Sequence, residues 1–197
     1  MKYEYADKMI RDMNRRNLRA FDRLKLLPFD ELNIVRSVTK VYKDSERIAR
    51  KRYLQIARDA YAEATGKKAE DAITEDWILD MLEEYDPVTL YQFLPEADRK
   101  KQRLIEAMVA SHNKNEEVDK ALRFWTLQVT QYAIKSVDDA TIDGYKAVGV
   151  KKVRWVAEDD EKTCSVCKKR DGKVYAINKL PNKPHYNCRC TFIPVMD

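Results

Sequence analysis

Apolar residues recur at helical spacing through most of the chain before residue 150. The charged stretch 2–26 predicts a first helix, which Pro28 interrupts. A second helix is predicted between Asp30, a suitable N-cap, and Gly66, a suitable stop. Its apolar stripe comprises Leu32, Val35, Val38, Tyr42, Ala49, Tyr53, Ile56 and Ala60. We expect this second helix to be long and partly exposed.

Later segments continue the helical pattern. Thr74 leads into a helix with the apolar residues Trp77, Ile78, Met81 and Leu82. Asp86-Pro87 predicts the start of another helix, with Asp86 as the N-cap and proline at the first helical position. Pro95 predicts a further helix start. Two more core faces follow. The first comprises Leu104, Ile105, Met108 and Val109. The second, after Asn115, comprises Val118, Ala121, Leu122, Trp125, Val129, Tyr132 and Ala133. Such stripes are typical of a core, so residues 1–150 are predicted to form an elongated multi-helix body.

The pattern changes after residue 150. Asp171-Gly172 is a turn-forming dipeptide, and Lys173–Ile177 after it has the composition of a short strand. Residues 151–197 contain few large apolar side chains, so this segment cannot bury enough surface to be stable without a further staple. We therefore predict a mainly α protein with a small C-terminal β-hairpin (α+β) module over residues 151–197.

All four cysteines and one of the two histidines lie in that module. Cys164 and Cys167 form a Cys-x-x-Cys pair, whereas Cys188 and Cys190 form a Cys-x-Cys pair preceded by His185. Both spacings let two thiolates face one ion, and the separation of the pairs is typical of zinc motifs. Four of these five residues are predicted to bind one structural Zn²⁺ per chain, which would staple the hairpin. His185 either replaces Cys188 or Cys190 as a ligand or hydrogen-bonds a thiolate.

Two other uses of the thiols compete with zinc. Disulfides suit a small secreted chain, but Met1–Tyr5 lacks the apolar core of a signal peptide, so we expect a reducing cytosol. A redox-active Cys-x-x-Cys pair needs a strand-to-helix βαβ setting, which this sequence does not offer. A nucleophilic Cys188 with His185 would leave three cysteines without a role. Zinc is therefore the favoured interpretation. The second histidine, His112, lies in a polar run and is assigned no function.

Composition supports a helix-rich soluble protein, with 4 glycines, 6 prolines and 36% charged residues, and no apolar run long enough to cross a membrane. The net charge is +5, with basic runs at Arg50–Arg52, Arg99–Lys101 and Lys168–Arg170. Acidic residues interleave with the basic ones along most helices, which favours solvated helix faces over a dedicated DNA site. Weak non-specific contact with DNA is compatible with this charge.

The C-terminal part carries a series of short motifs. They are Trp155, Asp159-Asp160, Thr163–Cys167, Asp171–Tyr175, Pro184–Cys190 and Pro194, after the run Thr141–Tyr145 and Gly149–Lys151. Together they resemble the phage Mu F-like minor head protein family, also called the phage head morphogenesis family. The resemblance covers residues 120–195, and residues 1–110 carry no matching motif.

The resemblance implies a minor capsid protein of a tailed phage or prophage that acts structurally in head morphogenesis. Its implied partners are the portal protein and the major capsid protein or scaffold. Such a protein is made in the bacterial cytoplasm and becomes part of the virion, in the head interior or near the portal. The resemblance implies no catalytic activity.

Two rival functions use the same residues. A zinc-dependent hydrolase or deaminase-like enzyme would need a His-x-Glu or His-Glu-x-x-His motif, but Tyr186 and Asn187 follow His185. Four or five strong ligands also argue against the open coordination position of a catalytic zinc. A zinc-containing nucleic-acid-binding adaptor shares the cysteine cluster and the positive charge, and salt-dependent DNA binding would distinguish it.

Overall fold

The computed structural model describes residues 4–28, 30–85, 100–110, 113–185 and 187–196. The helical body comprises α1 (Glu4–Lys25), α2 (Glu31–Thr65), α3 (Glu75–Tyr85), α4 (residues 100–110) and α5 (Lys114–Ala147). The helix starts predicted at Asp86-Pro87 and Pro95 lie outside the described residues, as does His112.

The predicted ends of α2 are confirmed. The side chain of Asp30 accepts hydrogen bonds from the backbone N–H groups of Leu32 and Asn33, so it satisfies donors that have no partner within the helix. Gly66 ends the helix with a φ of 68°, a left-handed conformation that glycine adopts at no steric cost. The start of α5 differs slightly, since Asn113 caps the helix and Lys114 begins it.

The predicted apolar stripes form the core of the body, with two exceptions. Leu32 is 57% exposed and Val109 is 42% exposed. Ile34 is buried in place of Leu32, because two residues turn an α-helix by about 200° and Ile34 faces the same side as Val38. Val109 similarly points about 100° away from the fully buried Met108.

An aromatic cluster joins the three helices that make most of the body's contacts. The ring centroid of Tyr42 on α2 lies 5.7 Å from that of Phe21 on α1 and 5.4 Å from that of Trp125 on α5. The pair with Trp125 has edge-to-face geometry, which the charge distribution of aromatic rings favours. All three rings are buried, so this cluster fixes how α1, α2 and α5 meet.

The C-terminal module contains a three-stranded antiparallel sheet and a short helix. Strands β1 (Lys152–Val156), β2 (Val174–Ala176) and β3 (Thr191–Val195) lie in the order β2-β1-β3, and α6 (Ser165–Arg170) precedes β2. The fold class is confirmed as mainly α with a small β module. The module has three strands where the sequence predicted a hairpin. Asp171-Gly172 does not join two paired strands, because it follows the end of α6.

One face of this sheet is buried. Val153 and Trp155 of β1 are both fully buried, and Trp155 lies opposite Phe192 of β3. Their cluster also contains Cys167, Cys188, Cys190 and Tyr145, the last of which belongs to α5. The hydroxyl of Tyr145 donates to the backbone carbonyl of Phe192 at 3.4 Å. The sheet therefore packs against the C-terminal end of α5. Within the described part of the chain, no helix is long and apolar enough to cross a membrane.

Close approach of α2 and α5 depends on Gly144. A Cβ atom at this position would lie 2.8 Å from the Cβ of Ala64 and 3.2 Å from the Cγ2 of Thr65. These distances are too short for van der Waals contact, so a side chain here would force the helices apart. Gly144 thus sets the spacing of α2 and α5 beside the junction with the module.

We expect Gly144→Ala to lower the free energy of unfolding by about 1 to 2 kcal/mol, since overpacking outweighs the gain of about 1 kcal/mol in helix propensity. Urea denaturation measures the change. The double variant Gly144→Ala/Ala64→Gly removes the closest clash and should recover part of the loss. Equal or greater stability of the single variant would show that the helices do not meet at this residue.

Candidate metal centre

The first cysteine pair is positioned by α6. Cys164 is the N-cap of this helix, and its Sγ accepts a hydrogen bond from the backbone N–H of Cys167 at 3.4 Å. That bond lowers the pKa of the Cys164 thiol to about 7. Cys167 lies one turn further along α6 and is buried, so burial raises the pKa of its thiol.

The second pair lies in the loop before β3. Cys188 and Cys190 are both buried, and burial raises the pKa of the Cys188 thiol. Asn187 precedes them with a φ of 54°, a left-handed conformation that asparagine tolerates better than most residues. His185 lies two residues earlier and is exposed.

All five residues predicted from the sequence meet at one place. Cys164, Cys167 and His185 offer ligand atoms within 4.8 Å of one another, and so do Cys167, Cys188 and Cys190. The Sγ of Cys167 lies 3.5 Å from the Sγ of Cys188 and 3.8 Å from the Nε2 of His185. Ligands about 2.3 Å from a tetrahedral zinc would be separated by about 3.8 Å. The cluster is therefore compatible with a metal ion bound beside Cys167.

The chemistry of the donors also fits a metal. The four thiols are free, and three of them are buried within one small cluster. Thiols are weak hydrogen-bonding partners for one another, whereas a divalent cation stabilises several adjacent thiolates at once. Sulfur and imidazole ligands select zinc and other borderline or soft ions over magnesium or calcium.

Helix α5 holds the second ligand loop through polar contacts that sequence reasoning missed. The side-chain oxygen of Gln131 accepts the backbone N–H of Asn187 at 2.6 Å. Lys183 forms an ion pair with Asp138 at 2.6 Å and donates to the backbone carbonyl of Cys188 at 3.1 Å. Both side chains of the ion pair are nearly buried, with 13% and 11% exposed. The ligand loop is thus tied to the helical body.

A surface ion pair connects the segments that carry the two cysteine pairs. Arg189, between the two cysteines of the second pair, contacts the carboxylate of Asp160, and this contact lowers the pKa of Asp160. Asp160 also accepts hydrogen bonds from the hydroxyl of Thr163 and the backbone N–H of Lys162, at 3.2 and 2.9 Å. The segment before Cys164 is therefore linked to the loop that carries Cys190.

We expect Asp138→Ala to lower the free energy of unfolding by about 3 kcal/mol, because it leaves the Lys183 ammonium buried without its counter-ion. Chemical denaturation of the metal-loaded protein measures the loss. Asp44→Ala, which removes an exposed pair with Arg47, should cost about 0 to 1 kcal/mol. Asp138→Met/Lys183→Met should recover much of the stability, and a double variant as unstable as Asp138→Ala would contradict this explanation.

Comparison with known proteins identifies one related family. Residues 102–193 match the family model described as Phage Mu protein F like protein. No curated protein and no solved structure matches the chain significantly. The matched residues run from α4 to β3 and include all five members of the cysteine and histidine cluster. This confirms the resemblance predicted from the sequence: the part of the chain from α4 to β3 is a phage Mu F-like segment.

Proposed function

We propose that this protein is a structural minor head protein that acts in phage head morphogenesis, associates with the portal and capsid shell, and has no catalytic turnover. The observation that carries the proposal is the family match over residues 102–193. That segment contains the metal cluster and the whole of α5, the helix on which the cluster rests. The family implies a virion component that contacts other head proteins.

The metal in this proposal is one structural Zn²⁺ per chain, bound by four residues from the set Cys164, Cys167, His185, Cys188 and Cys190. Cys167 belongs to both triads of nearby ligand atoms, so it is the residue that links the two halves of the cluster. A site with four protein ligands keeps no open position for a substrate. Zinc would therefore supply folding free energy to residues 151–197 instead of chemistry.

Elemental analysis of protein purified under reducing conditions should give about one zinc per chain. Cys167→Ser should abolish binding, because both ligand triads lose a member. His185→Ala tests whether the imidazole is a ligand, since it should weaken binding only in that case. Metal-free protein with two intact disulfides would contradict the zinc proposal.

We also propose that residues 1–150 and 151–197 are separate folding units. Their buried apolar residues form two clusters, with Tyr145 of α5 in the second. Cys164→Ser should therefore unfold the module and leave most of the helical circular dichroism, as metal-binding free energy is folding free energy there. Loss of the helical signal in the same transition would show one cooperative unit.

The helical body is the proposed docking element for the portal or shell. Leu26 and Leu32 flank the α1–α2 connection, and they are 84% and 57% exposed. Large apolar side chains that are this exposed at both ends of one connection are candidates for contact with a partner. Deleting α1 and α2 would uncover the core face of α5, so surface substitutions test docking more cleanly than truncation.

We expect Leu26→Glu/Leu32→Glu to reduce incorporation into particles about tenfold or more, because it places two charges in an apolar contact. Quantitative immunoblotting of purified heads measures the copy number. Leu127→Glu is the matched control, since Leu127 is 58% exposed on α5. Loss with Leu127→Glu alone would place docking on another face of the body, and full incorporation of every variant would contradict docking by the body.

A nucleic-acid-binding adaptor is the second candidate function. Residues 151–197 contain 11 of the 38 Lys and Arg residues but 6 of the 33 Asp and Glu residues, whereas residues 1–150 contain 27 of each. The entire net charge of +5 therefore lies in the module. Such a surface supports weak, salt-dependent contact with DNA.

A further inference from the structure

The outward side of α2 carries a row of basic residues. Its members follow one another at intervals of three or four positions, and all are exposed: Arg36, Lys40, Lys43, Arg47 and Lys51. At about 100° per residue they lie within about 80° of one another, on the opposite side of the helix from the buried Ser45 and Ala49. These five residues form the α2 basic stripe.

Acidic residues lie beside the stripe and not within it. Residues 33–54 contain seven Lys or Arg residues but two acidic ones, Asp44 and Glu46. These two lie on either side of the stripe and pair with Arg47 and Arg50. The other four members of the stripe form no ion pair with any described residue. Charges that are mixed in the sequence are thus segregated by the helix.

The stripe does not stabilise α2. Like charges three or four residues apart repel each other on a helix surface, and every consecutive pair of stripe members has this spacing. None of the five side chains belongs to the buried core. A polyanionic partner would remove the repulsion between them.

The composition of the stripe favours nucleic acid over an acidic protein surface. Specific protein interfaces have an apolar core and are depleted in Lys, whereas three of the five stripe members are Lys. In α2, which the structure describes throughout, Leu32 is the one large apolar residue that is exposed, and it lies before the stripe. Contacts to a phosphate backbone need positive side chains and no apolar core.

The length of the stripe suits a contact along a duplex. Arg36 and Lys51 are 15 residues apart, which corresponds to about 22 Å at 1.5 Å per residue. A DNA duplex carries one phosphate charge per about 1.7 Å of its axis, so about 13 of these charges lie along this length. More phosphates than stripe members therefore lie along the contact, and each member can contact one.

We propose that α2 binds the phosphate backbone of a DNA duplex along the α2 basic stripe. Such binding does not depend on base sequence, because the contacts are made to phosphates and not to base edges. The site is distinct from the basic surface of residues 151–197, on which the second candidate function rests. The inference goes beyond the proposed head function and does not depend on it.

Fluorescence anisotropy of a labelled DNA duplex of mixed sequence measures binding by the full-length, zinc-loaded protein. The logarithm of the affinity should fall linearly with the logarithm of the salt concentration, with a slope of about −0.9 per phosphate contact. Contacts by the four members without ion pairs predict a slope of about −3.6, or about 150-fold weaker binding at 200 mM than at 50 mM salt. Absence of binding at about 50 mM salt, or a slope shallower than about −2, would overturn the proposal.

Lys40→Gln/Lys43→Gln tests the stripe directly. This variant should make the slope shallower by about 1.8 and weaken binding at low salt about tenfold or more, because two phosphate contacts lose their charge. Arg154→Gln/Lys173→Gln is the matched control in the module, since both residues are exposed and form no ion pair with described residues. Circular dichroism establishes that both variants are folded. An unchanged slope in the α2 variant, or a larger change in the module variant, would overturn the assignment of the site to α2.

Competition with poly-glutamate decides between nucleic acid and acidic polymers in general. An extended polypeptide carries one charge per about 3.3 to 3.6 Å, about half the linear charge density of a duplex. Poly-glutamate should therefore displace the labelled duplex much less than unlabelled duplex does at equal charge concentration. Equal displacement by the two would overturn the choice of nucleic acid. None of these measurements involves portal or shell proteins, so they can fail while the proposed head function holds.

Discussion

Helix α5 packs against both parts of the protein and positions one relative to the other. Its N-terminal half contributes Trp125 to the aromatic cluster of the helical body, and its C-terminal end contributes Tyr145 to the buried cluster of the module. Between them, Gln131 and Asp138 hold the loop that carries the second cysteine pair. A single helix therefore determines where the cysteine and histidine cluster lies relative to the core.

This arrangement connects the candidate metal centre to the helical body, although the buried apolar residues of the two parts form separate clusters. The contacts from α5 to the ligand loop are polar and nearly buried, so they are specific in geometry but cost desolvation. The apolar support comes from Trp155 and Phe192 of the sheet, whose ring centroids lie 5.2 Å apart. A bound cation would add the contribution that so small a sheet cannot obtain from its own apolar surface.

Charged side chains on different parts of the surface differ in whether they form ion pairs. Surface charges of the helical body pair frequently within their own helices, as Lys120 does with Glu116 and Glu117. Arg154 of the outer sheet face and Asp76 and Asp80 of α3 instead form no ion pair with any described residue. Isolated surface pairs contribute little to stability, so this difference in pairing has little effect on the free energy of unfolding.

The sequence alone was enough to predict the helices with clear periodicity and caps, such as α2 between Asp30 and Gly66, and the five residues of the cysteine and histidine cluster. Both are local properties, because capping and Cys-x-x-Cys spacing act over a few residues. Tertiary structure alone decided that β1 is the central strand, that Leu32 is exposed, and that Lys183 pairs with Asp138. These features depend on contacts between residues far apart in the chain, and such contacts leave no periodic signal in a single sequence.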